Sequence, residues 1–316
     1  MNEYMRLDAN ESIFFTRELE SIRARSYDVK YDDLFKMLYL LPISTEGDPL
    51  ATQITHRVYG RVGVAKMGGG DYATDFPSVD IYGKEETVKI YPVHVSYKYN
   101  KDEIARAAKL NKPLEAGRAN AARKAIESKL NSVAISGDPV TGVKGLFNAT
   151  GISTYTVPKG EGAVKKTNWE TKTPDEILAD LYGIANQIVT STKGMEVPDV
   201  IALPLTSYQL IERTRLSDDS EKTILTYFLE NSKNIKQIVW FNELETAAPV
   251  DTDAYDSVKA MYCWKNDADH LVFDLPMPFT QEELMVDGLE YVVPCRAKTA
   301  GVTIFYPLSC AKAYGI

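Results

Sequence analysis

The sequence is poor in cysteine and has no long hydrophobic run. Its cysteines are Cys263, Cys295 and Cys310 in a chain of 316 residues, an odd number without Cys-x-x-Cys spacing. A disulfide framework or a zinc site is therefore not expected, and buried free thiols are predicted. No segment approaches the roughly 20 apolar residues of a membrane span, and the acidic N-terminus does not resemble a signal peptide. We predict a chain that folds in the cytosol and has no membrane partner.

An excess of positive charge is also missing. Lysine and arginine number 36 against 44 aspartates and glutamates, which gives a formal net charge of -8. Proteins that read DNA sequence are usually basic, so this function is disfavoured. The three histidines lack His-x-His or His-Glu-x-x-His spacing, and there is no Gly-x-Ser-x-Gly elbow. We expect no catalytic residues, no cofactor and no metal site, and we do not predict an enzyme.

Two short segments imitate ligand-binding motifs. In GDPVTGVKG the lysine does not directly follow the second glycine, and the segment follows a helix, so a structural turn is predicted rather than a phosphate-binding loop. The acidic run from Asp251 to Asp256 lacks the oxygen ligand and the glycine of a calcium loop. A solvated loop is expected there, and a cation site is the weaker alternative.

The chain does contain a long strand-rich segment that has no hydrophobic core of its own. From Arg57 the sequence indicates two extended limbs joined by a loose tip, Gly68-Gly69-Gly70. An isolated two-stranded ribbon is marginally stable in water. Its apolar residues must therefore be covered by something else, and a neighbouring chain is the natural candidate. The 19 tyrosines agree with extensive interfaces.

A strand and a helix follow the ribbon. The alternation from Tyr91 to Tyr99 predicts a strand with one apolar face. The spacing between Lys112 and Ile135 predicts a helix lying on a sheet. Its expected apolar stripe is Ala119, Ala122, Ile126, Leu130 and Val133. Its exposed basic side chains are Arg118, Arg123, Lys124 and Lys129. A solvated face is favoured for them over contact with acidic partners or phosphates.

The second half alternates helices and strands. Thr173, Pro174 and Glu176 form a capping-box signature at a helix start. An α/β inset is predicted from there to about Asp269. The final segment reads as two strands around Ala300-Gly301, which are expected to return to the strand at residues 91–99. Residues 1–55 are interpreted either as an arm lying on other surfaces or as a segment that folds back on its own chain.

Taken in order, these features resemble the major capsid protein of tailed bacteriophages with the Hong Kong 97-type fold. The motifs are an FFTRELE stretch, the Asp75-Phe76-Pro77 turn in the ribbon, the helix containing ARKAIE, then GLFN and the TPDEIL helix start. Each motif alone is weak, and their order and spacing together are fairly specific. The likeness spans almost the whole chain.

The resemblance implies an α+β fold in four parts. They are an N-terminal arm (1–55), an extended β-ribbon loop (56–98), a peripheral domain with a long spine helix (99–172 and 270–316) and an axial α/β domain (173–269). The loop would contact neighbouring subunits. Its candidate contact residues are Tyr59, Lys66, Gly68, Gly69, Gly70, Tyr72, Phe76, Pro77 and Tyr82. Some relatives crosslink a loop lysine, but no matched acceptor is recognisable here, so crosslinking is not predicted.

The implied function is self-assembly through hexamers and pentamers into an icosahedral shell around double-stranded DNA. The DNA would be held without sequence specificity, and portal, scaffold or decoration proteins would be separate partners. The protein would reside in the virion after assembly in the host bacterial cytoplasm. Three alternatives remain: an encapsulin-like nanocompartment shell with enzyme cargo, an enzyme in the inset, and a tail or adaptor component.

Overall fold

The computed structural model describes residues 36–65, 67, 78–104, 117–161, 165–217, 221–247 and 257–316. Several expectations lie outside these residues, among them the helical signals before residue 36, the glycine tip at 68–70 and the acidic loop at 251–256. The described residues combine helices and strands, as the expected α+β class requires. The helices are α1 (Lys36–Leu40), α2 (Gly117–Ser136), α3 (Pro174–Ser191), α4 (Leu205–Arg213) and α5 (Ile224–Asn231).

Strands outnumber helices in the described part of the chain. They are β1 (Ile43–Ser44), β2 (Gln53–Val62), β3 (Asp80–Lys89), β4 (Tyr91–Asn100), β5 (Ser153–Tyr155), β6 (Val200–Pro204), β7 (Gln237–Phe241), β8 (Ala260–Trp264), β9 (Leu271–Asp274), β10 (Met277–Gln281), β11 (Met285–Asp287), β12 (Glu290–Thr299), β13 (Gly301–Ile304) and β14 (Cys310–Tyr314). They form a β2-β3 ribbon, a β1-β9-β13 sheet, a sheet in which β4, β10 and β11 flank β12, and a five-stranded sheet ordered β5-β14-β8-β6-β7.

The strand predicted at residues 91–99 is confirmed as β4. Its odd-numbered side chains are half-buried and its even-numbered ones exposed, as period-two alternation requires. The returning strand β12 pairs antiparallel with β4 along its whole length, from Glu290 opposite Asn100 to Thr299 opposite Tyr91. The other returning strand, β13, pairs with β9 instead.

Helix α2 packs against β4 by the stripe that the sequence predicts. Ala122, Ile126, Leu130 and Val133 are buried, as predicted, whereas Ala119, in the first turn, is only half-buried. The buried Asn131 accepts hydrogen bonds at its Oδ1 from the backbone N–H of Met37 (3.0 Å) and of Leu38 (3.3 Å). These are N–H groups of the first turn of α1, which have no partner within that helix. Asn131 therefore fixes α1 against α2.

The five-stranded sheet is covered on both faces. Alternate residues of β6 belong to two different cores: Val200 and Ala202 to the core that includes α2, and Ile201 and Leu203 to the core that includes α3. A strand buried on both faces reads as a continuous apolar run, which VIALP is. The expected capping box is present at the start of α3, where Thr173 and Glu176 bond each other's backbone N–H.

The last strand, β14, was not predicted from the sequence. The resemblance implied a grouping of residues 270–316 with residues 99–172, apart from the axial domain. Strand β14 instead pairs antiparallel with β8 and parallel with β5, inside the five-stranded sheet. Pairing between strands far apart in the chain leaves no local pattern in the sequence, which is why the location of β14 was missed.

The GDPVTGVKG segment is a structural turn, as predicted. Asp138 accepts bonds from the backbone and the hydroxyl of Thr141 and from Lys129 Nζ at 2.9 Å. Hydrogen bonds from Lys129 and Thr141 lower the pKa of Asp138 to about 2. Gly301 packs onto this turn with φ +85°, and a Cβ there would lie 2.4 Å from Val143 Cγ1. Only glycine fits that approach.

The three cysteines are buried free thiols, as predicted. Burial raises the pKa of each thiol, and that of Cys310 reaches about 12. Reactive cysteines need a lowered pKa and some exposure, so these thiols are inert packing groups. Among the described residues, no helix is long and apolar enough to cross a membrane.

Candidate assembly surface

Strands β2 and β3 form an antiparallel ribbon of ten residue pairs, from Gln53 opposite Lys89 to Val62 opposite Asp80. The ribbon pairs with no other strand in the described part of the chain. The boundary expected for the loop, residue 98, is later than the end of this pairing, because Tyr91–Asn100 belongs to the sheet with β12. The extended hydrophobic limbs of the sequence are therefore confirmed as a two-stranded structure that leaves the body of the protein.

Large apolar side chains on the ribbon are exposed to solvent. Residues directly opposite in an antiparallel pair share a face, and the ladder sorts the exposed residues into two sets. Face A carries Tyr59 and Ile81, and face B carries Val62 and Tyr82, each at least 56% exposed. Val64 and Val79, just beyond the paired residues, are exposed as well. Monomeric proteins rarely expose contiguous apolar patches unless they mark an interaction site.

Each of the two tyrosines covers a glycine on the opposite strand. On face B, Tyr82 stands opposite Gly60, and a Cβ on Gly60 would lie 2.2 Å from Tyr82 Cζ. On face A, Tyr59 stands opposite Gly83, where a Cβ would lie 3.3 Å from Tyr59 Cε1. The rings fill the space above the glycines and pin the strand register. Both tyrosines nevertheless remain about 60% exposed to solvent.

Charged groups on the ribbon are largely satisfied within it. Arg57 Nε donates to Glu85 Oε1 at 2.7 Å on face A. This bond and a bond with the Tyr59 hydroxyl raise the pKa of Arg57. On face B, Lys84 donates to Glu86. Because these four charges have partners in the same ribbon, they offer little to a docking partner, whereas the exposed apolar side chains gain free energy when they are covered.

The root of the ribbon is joined to the body by a few contacts. The ring of His56 meets the ring of Phe305 edge-on, with centroids 5.2 Å apart. The Ile90 N–H donates to Thr52 O at 2.9 Å, where the two strands leave the body. An open cleft of about 690 Å³ separates this root from the turn at Thr141–Lys144. The ribbon is thus held at one end.

Of the loop residues singled out from the sequence, Tyr59 and Tyr82 lie in the ribbon, on opposite faces. The structure does not bring them together. Lys66, Gly68, Gly69, Gly70, Tyr72, Phe76 and Pro77 lie outside the described residues.

The basic side chains of α2 are engaged by acidic residues of the same chain. Arg118 makes two hydrogen bonds to the carboxylate of Glu103, at 2.9 and 3.0 Å, and Arg123 donates to Glu127 at 2.7 Å. Lys129 pairs with Asp138, and Lys124 also lies on this exposed face. The solvated-face interpretation, which the sequence analysis favoured, agrees with these pairs.

A second exposed apolar segment was not found by sequence reasoning. The hairpin of β11 and the start of β12 exposes Leu284, Met285, Val286 and Leu289. It projects from the edge of the sheet that β12 organises. The sequence LMVDGL could have indicated this hairpin, because three consecutive apolar residues precede an Asp-Gly turn without alternating with polar ones.

Clusters of polar residues in the described regions have structural roles. Lys172 and Asp180 form a buried ion pair, and Trp169 Nε1 donates to the same Asp180 oxygen at 2.9 Å. Burial raises the pKa of Asp180 although both bonds oppose it. Glu196 binds Lys265 at 3.1 Å and His270 at 2.8 Å. No group of three potential metal ligands occurs among the described residues.

The sequence matches the family model described as "Major capsid protein" over residues 63–316. A search of the curated proteins found no match. Among solved structures, the capsid of Myoviridae phage XM1 has a TM-score of 0.74 at 15% identity, covering 95% of this chain and 98% of that chain.

Two further structures extend the likeness. One from Mycobacterium phage Adephagia has a TM-score of 0.61 at 11% identity, covering 100% of this chain and 99% of that chain. The virus-like particle from Pyrococcus furiosus has a TM-score of 0.52 at 15% identity, covering 87% and 91%. At such identities these structures show a shared fold.

Proposed function

The chain belongs to the major capsid protein family of tailed bacteriophages and has the Hong Kong 97-type fold, and from that premise we propose how its parts build a shell. Many copies assemble into the capsid of the virion. We infer that they do so as hexamers and pentamers that close into an icosahedral shell in the cytoplasm of the host bacterium. When one surface of a subunit contacts a different surface of the next, the subunits form a closed ring if the rotation between neighbours divides a full turn evenly.

The observation that carries this proposal is the exposed ribbon. It consists of ten residue pairs, holds four large exposed apolar side chains and pairs with no other strand among the described residues. A ribbon of this kind gains stability only when another surface covers it. Neighbouring subunits in a shell provide such surfaces, and the ribbon then ties one subunit to the next.

The remaining parts follow from the sheets and cores. We assign the residues before Gln53 to the arm, the β2-β3 ribbon to the extended loop, and α2 with β4 and β12 to the peripheral domain. The axial domain is the five-stranded sheet with α3–α5. Because β14 and β5 pair within that sheet, we include both strands in the axial domain, although they come from segments that the resemblance assigned to the peripheral domain.

We propose that the shell encloses double-stranded DNA without sequence specificity. The net charge of -8 supports this, because a lining without excess positive charge attracts the DNA phosphates only weakly. The carboxylates beside Arg118 and Arg123 on α2 have the same effect locally. Portal, scaffold and decoration proteins would be separate chains.

Electron microscopy of the purified protein tests the proposal. Uniform polyhedral particles are expected, and dispersed monomers under all assembly conditions would contradict it. The contents of particles from infected cells separate two kinds of shell: nuclease-protected DNA supports the capsid, whereas packaged enzyme with no DNA would indicate a nanocompartment. A sharper test deletes residues 67–71. Unchanged particle yield and heat resistance would show that the ribbon is not the tie between subunits.

A further inference from the structure

The root of the ribbon turns one face toward the body of the protein. Along β2 the side chains of Ile54, His56 and Val58 are half-buried, whereas Thr55 and Arg57 between them are exposed. A period of two puts alternate residues of a strand on opposite faces. His56 therefore lies on the body side of the ribbon, and it is the titratable side chain of the three that do.

The imidazole of His56 contacts both the ribbon and the body. Its Nε2 lies 3.5 Å from Oε2 of Glu86, its direct partner on β3. The hydrogen bond from Lys84 lowers the pKa of Glu86, which keeps this carboxylate charged under mildly acid conditions. The His56 ring also meets Phe305, which directly follows β13 in the body. The charge of one side chain thus bears on the contact between the ribbon and the body.

A buried carboxylate of the body lies within electrostatic reach of the same ring. Asp274, at the end of β9, is only 6% exposed, and its Oδ2 accepts a hydrogen bond from Thr303 Oγ1. Burial raises the pKa of Asp274, while the Thr303 bond and the charge of His56 act to lower it. An imidazolium at position 56 is therefore attracted to one carboxylate on the ribbon and to another in the body, whereas a neutral imidazole carries no charge for either to attract.

Open space adjoins the root. His56 lines the cleft of about 690 Å³ described above and also a second cleft of about 620 Å³, which Asp274 lines as well. The ribbon can therefore tilt about its root without displacing a packed core. The further charged groups that line the two clefts are two carboxylates and two amines, Glu46, Asp269, Lys89 and Lys144. Carboxylates and lysine amines in general keep their charges between about pH 5.5 and 8.5, whereas imidazoles change charge there.

We propose that His56 is a charge-dependent latch of the ribbon: its protonated ring holds the root against the body, and loss of the proton lets the ribbon tilt into the clefts. The latch lies within a single subunit, so it goes beyond the proposed function and does not require a shell. The competing interpretation is that the ring only packs on Phe305, which would give a root that does not respond to charge.

Distances between two spin labels test the latch in full-length subunits that are kept dissociated. Ile81→Cys places one label on the ribbon, and Val140→Cys places the other on the turn beside the first cleft. Both positions are exposed, and the native cysteines are buried. Pulsed electron resonance gives the distances across the cleft at about pH 5.5 and about pH 8.5, which bracket the range in which imidazoles change charge. A held ribbon gives one narrow peak and a tilted ribbon a broad spread. We expect the ratio of held to tilted ribbon to fall about fivefold at the higher pH, which corresponds to about 1 kcal/mol.

Two variants at the same position isolate the charge from the ring. His56→Phe keeps an aromatic ring without a charge and should give the broad distribution at both pH values, whereas His56→Arg keeps a charge and should give the narrow one at both. His94 and His270 remain in both variants, so a pH response in His56→Phe equal to that of the wild type would assign the effect to another group and overturn the latch. A narrow peak in His56→Phe at both pH values, or a wild-type distribution that does not change with pH, overturns it as well. Particle formation is no part of this measurement, so each of these results leaves the proposed function standing.

Discussion

The ring of Tyr82 occupies the space that a side chain at Gly60 would fill: a Cβ on Gly60 would stand 2.2 Å from Tyr82 Cζ. The two residues are direct partners in the ladder of the ribbon. Gly60 does not have the positive φ that favours glycine, so its backbone alone would accept a side chain. The glycine is required by the tyrosine ring.

Gly60→Ala should displace Tyr82 and impair assembly without unfolding the subunit. Loss of one interface anchor costs about 2 kcal/mol or more per contact, so the concentration needed for particle formation should rise by more than about tenfold. Thermal unfolding of the subunit should change little, because the ribbon lies outside both cores. The measurements are particle yield against protein concentration and a melting curve.

Two comparisons separate this effect from a general cost of alanine. Gly83→Ala should be milder, since Tyr59 Cε1 is 3.3 Å from the added Cβ, and Gly117→Ala should be harmless, since nothing lies within 4 Å. In a Tyr82→Ala background, Gly60→Ala should have no further effect. An equal loss in that background would refute the role of the ring.

The ion pair of Lys172 and Asp180 should be costly to break from one side. Both side chains are almost fully buried. Lys172→Met leaves a buried carboxylate unpaired and should lower the free energy of unfolding by about 3–5 kcal/mol. Chemical denaturation of the subunit measures this loss.

Removing both charges should recover part of that loss. In Lys172→Met with Asp180→Leu no charge is left buried, but Trp169 Nε1 loses its acceptor, which costs about 1–3 kcal/mol. A double variant less stable than Lys172→Met alone would show that the uncompensated carboxylate of Asp180 is not the source of the loss.

The turn at Asp138 should make stability depend on pH in the acid range. Its pKa falls from the ordinary 3.8 to about 2 in the folded chain. A lowered carboxyl pKa stabilises the fold above the unfolded value, and this contribution is lost as pH falls from about 3.8 to about 2. Melting temperatures of wild type and Asp138→Asn should therefore differ at neutral pH and converge as the pH approaches about 2. A difference that stays constant throughout would exclude ionisation of Asp138 as its cause.

Neutralising the arginines of α2 should not change DNA content. Arg118 and Arg123 are bonded to Glu103 and Glu127, so their charges are compensated within the chain. In particles that package DNA, Arg118→Gln with Arg123→Gln should leave the ratio of nucleic acid to protein unchanged. Glu127→Gln is the matched variant, because it frees Arg123. A marked loss of DNA in the arginine variant would assign this face to genome contact.

Part of the exposed apolar surface was visible in the sequence. Tyr59 and Tyr82 were predicted as contact residues because aromatic residues are enriched at interface hot spots, and the structure leaves both exposed. The hairpin with Leu284 and Met285 was missed, because a short apolar run reads equally well as a buried strand. Only the pairing of β11 with the start of β12, at the edge of a sheet, leaves these side chains in solvent.

By itself the sequence determined the elements whose signals are local. The capping box at Thr173, the period of two in β4 and the stripe of α2 depend on residues a few positions apart, and all three appear as expected. The tertiary structure alone decided which strands pair: β14 enters the five-stranded sheet between β5 and β8, and Tyr82 meets Gly60 across the ribbon. Such pairs join distant positions through backbone hydrogen bonds and close packing, and neither leaves a period in the chain from which it could be read.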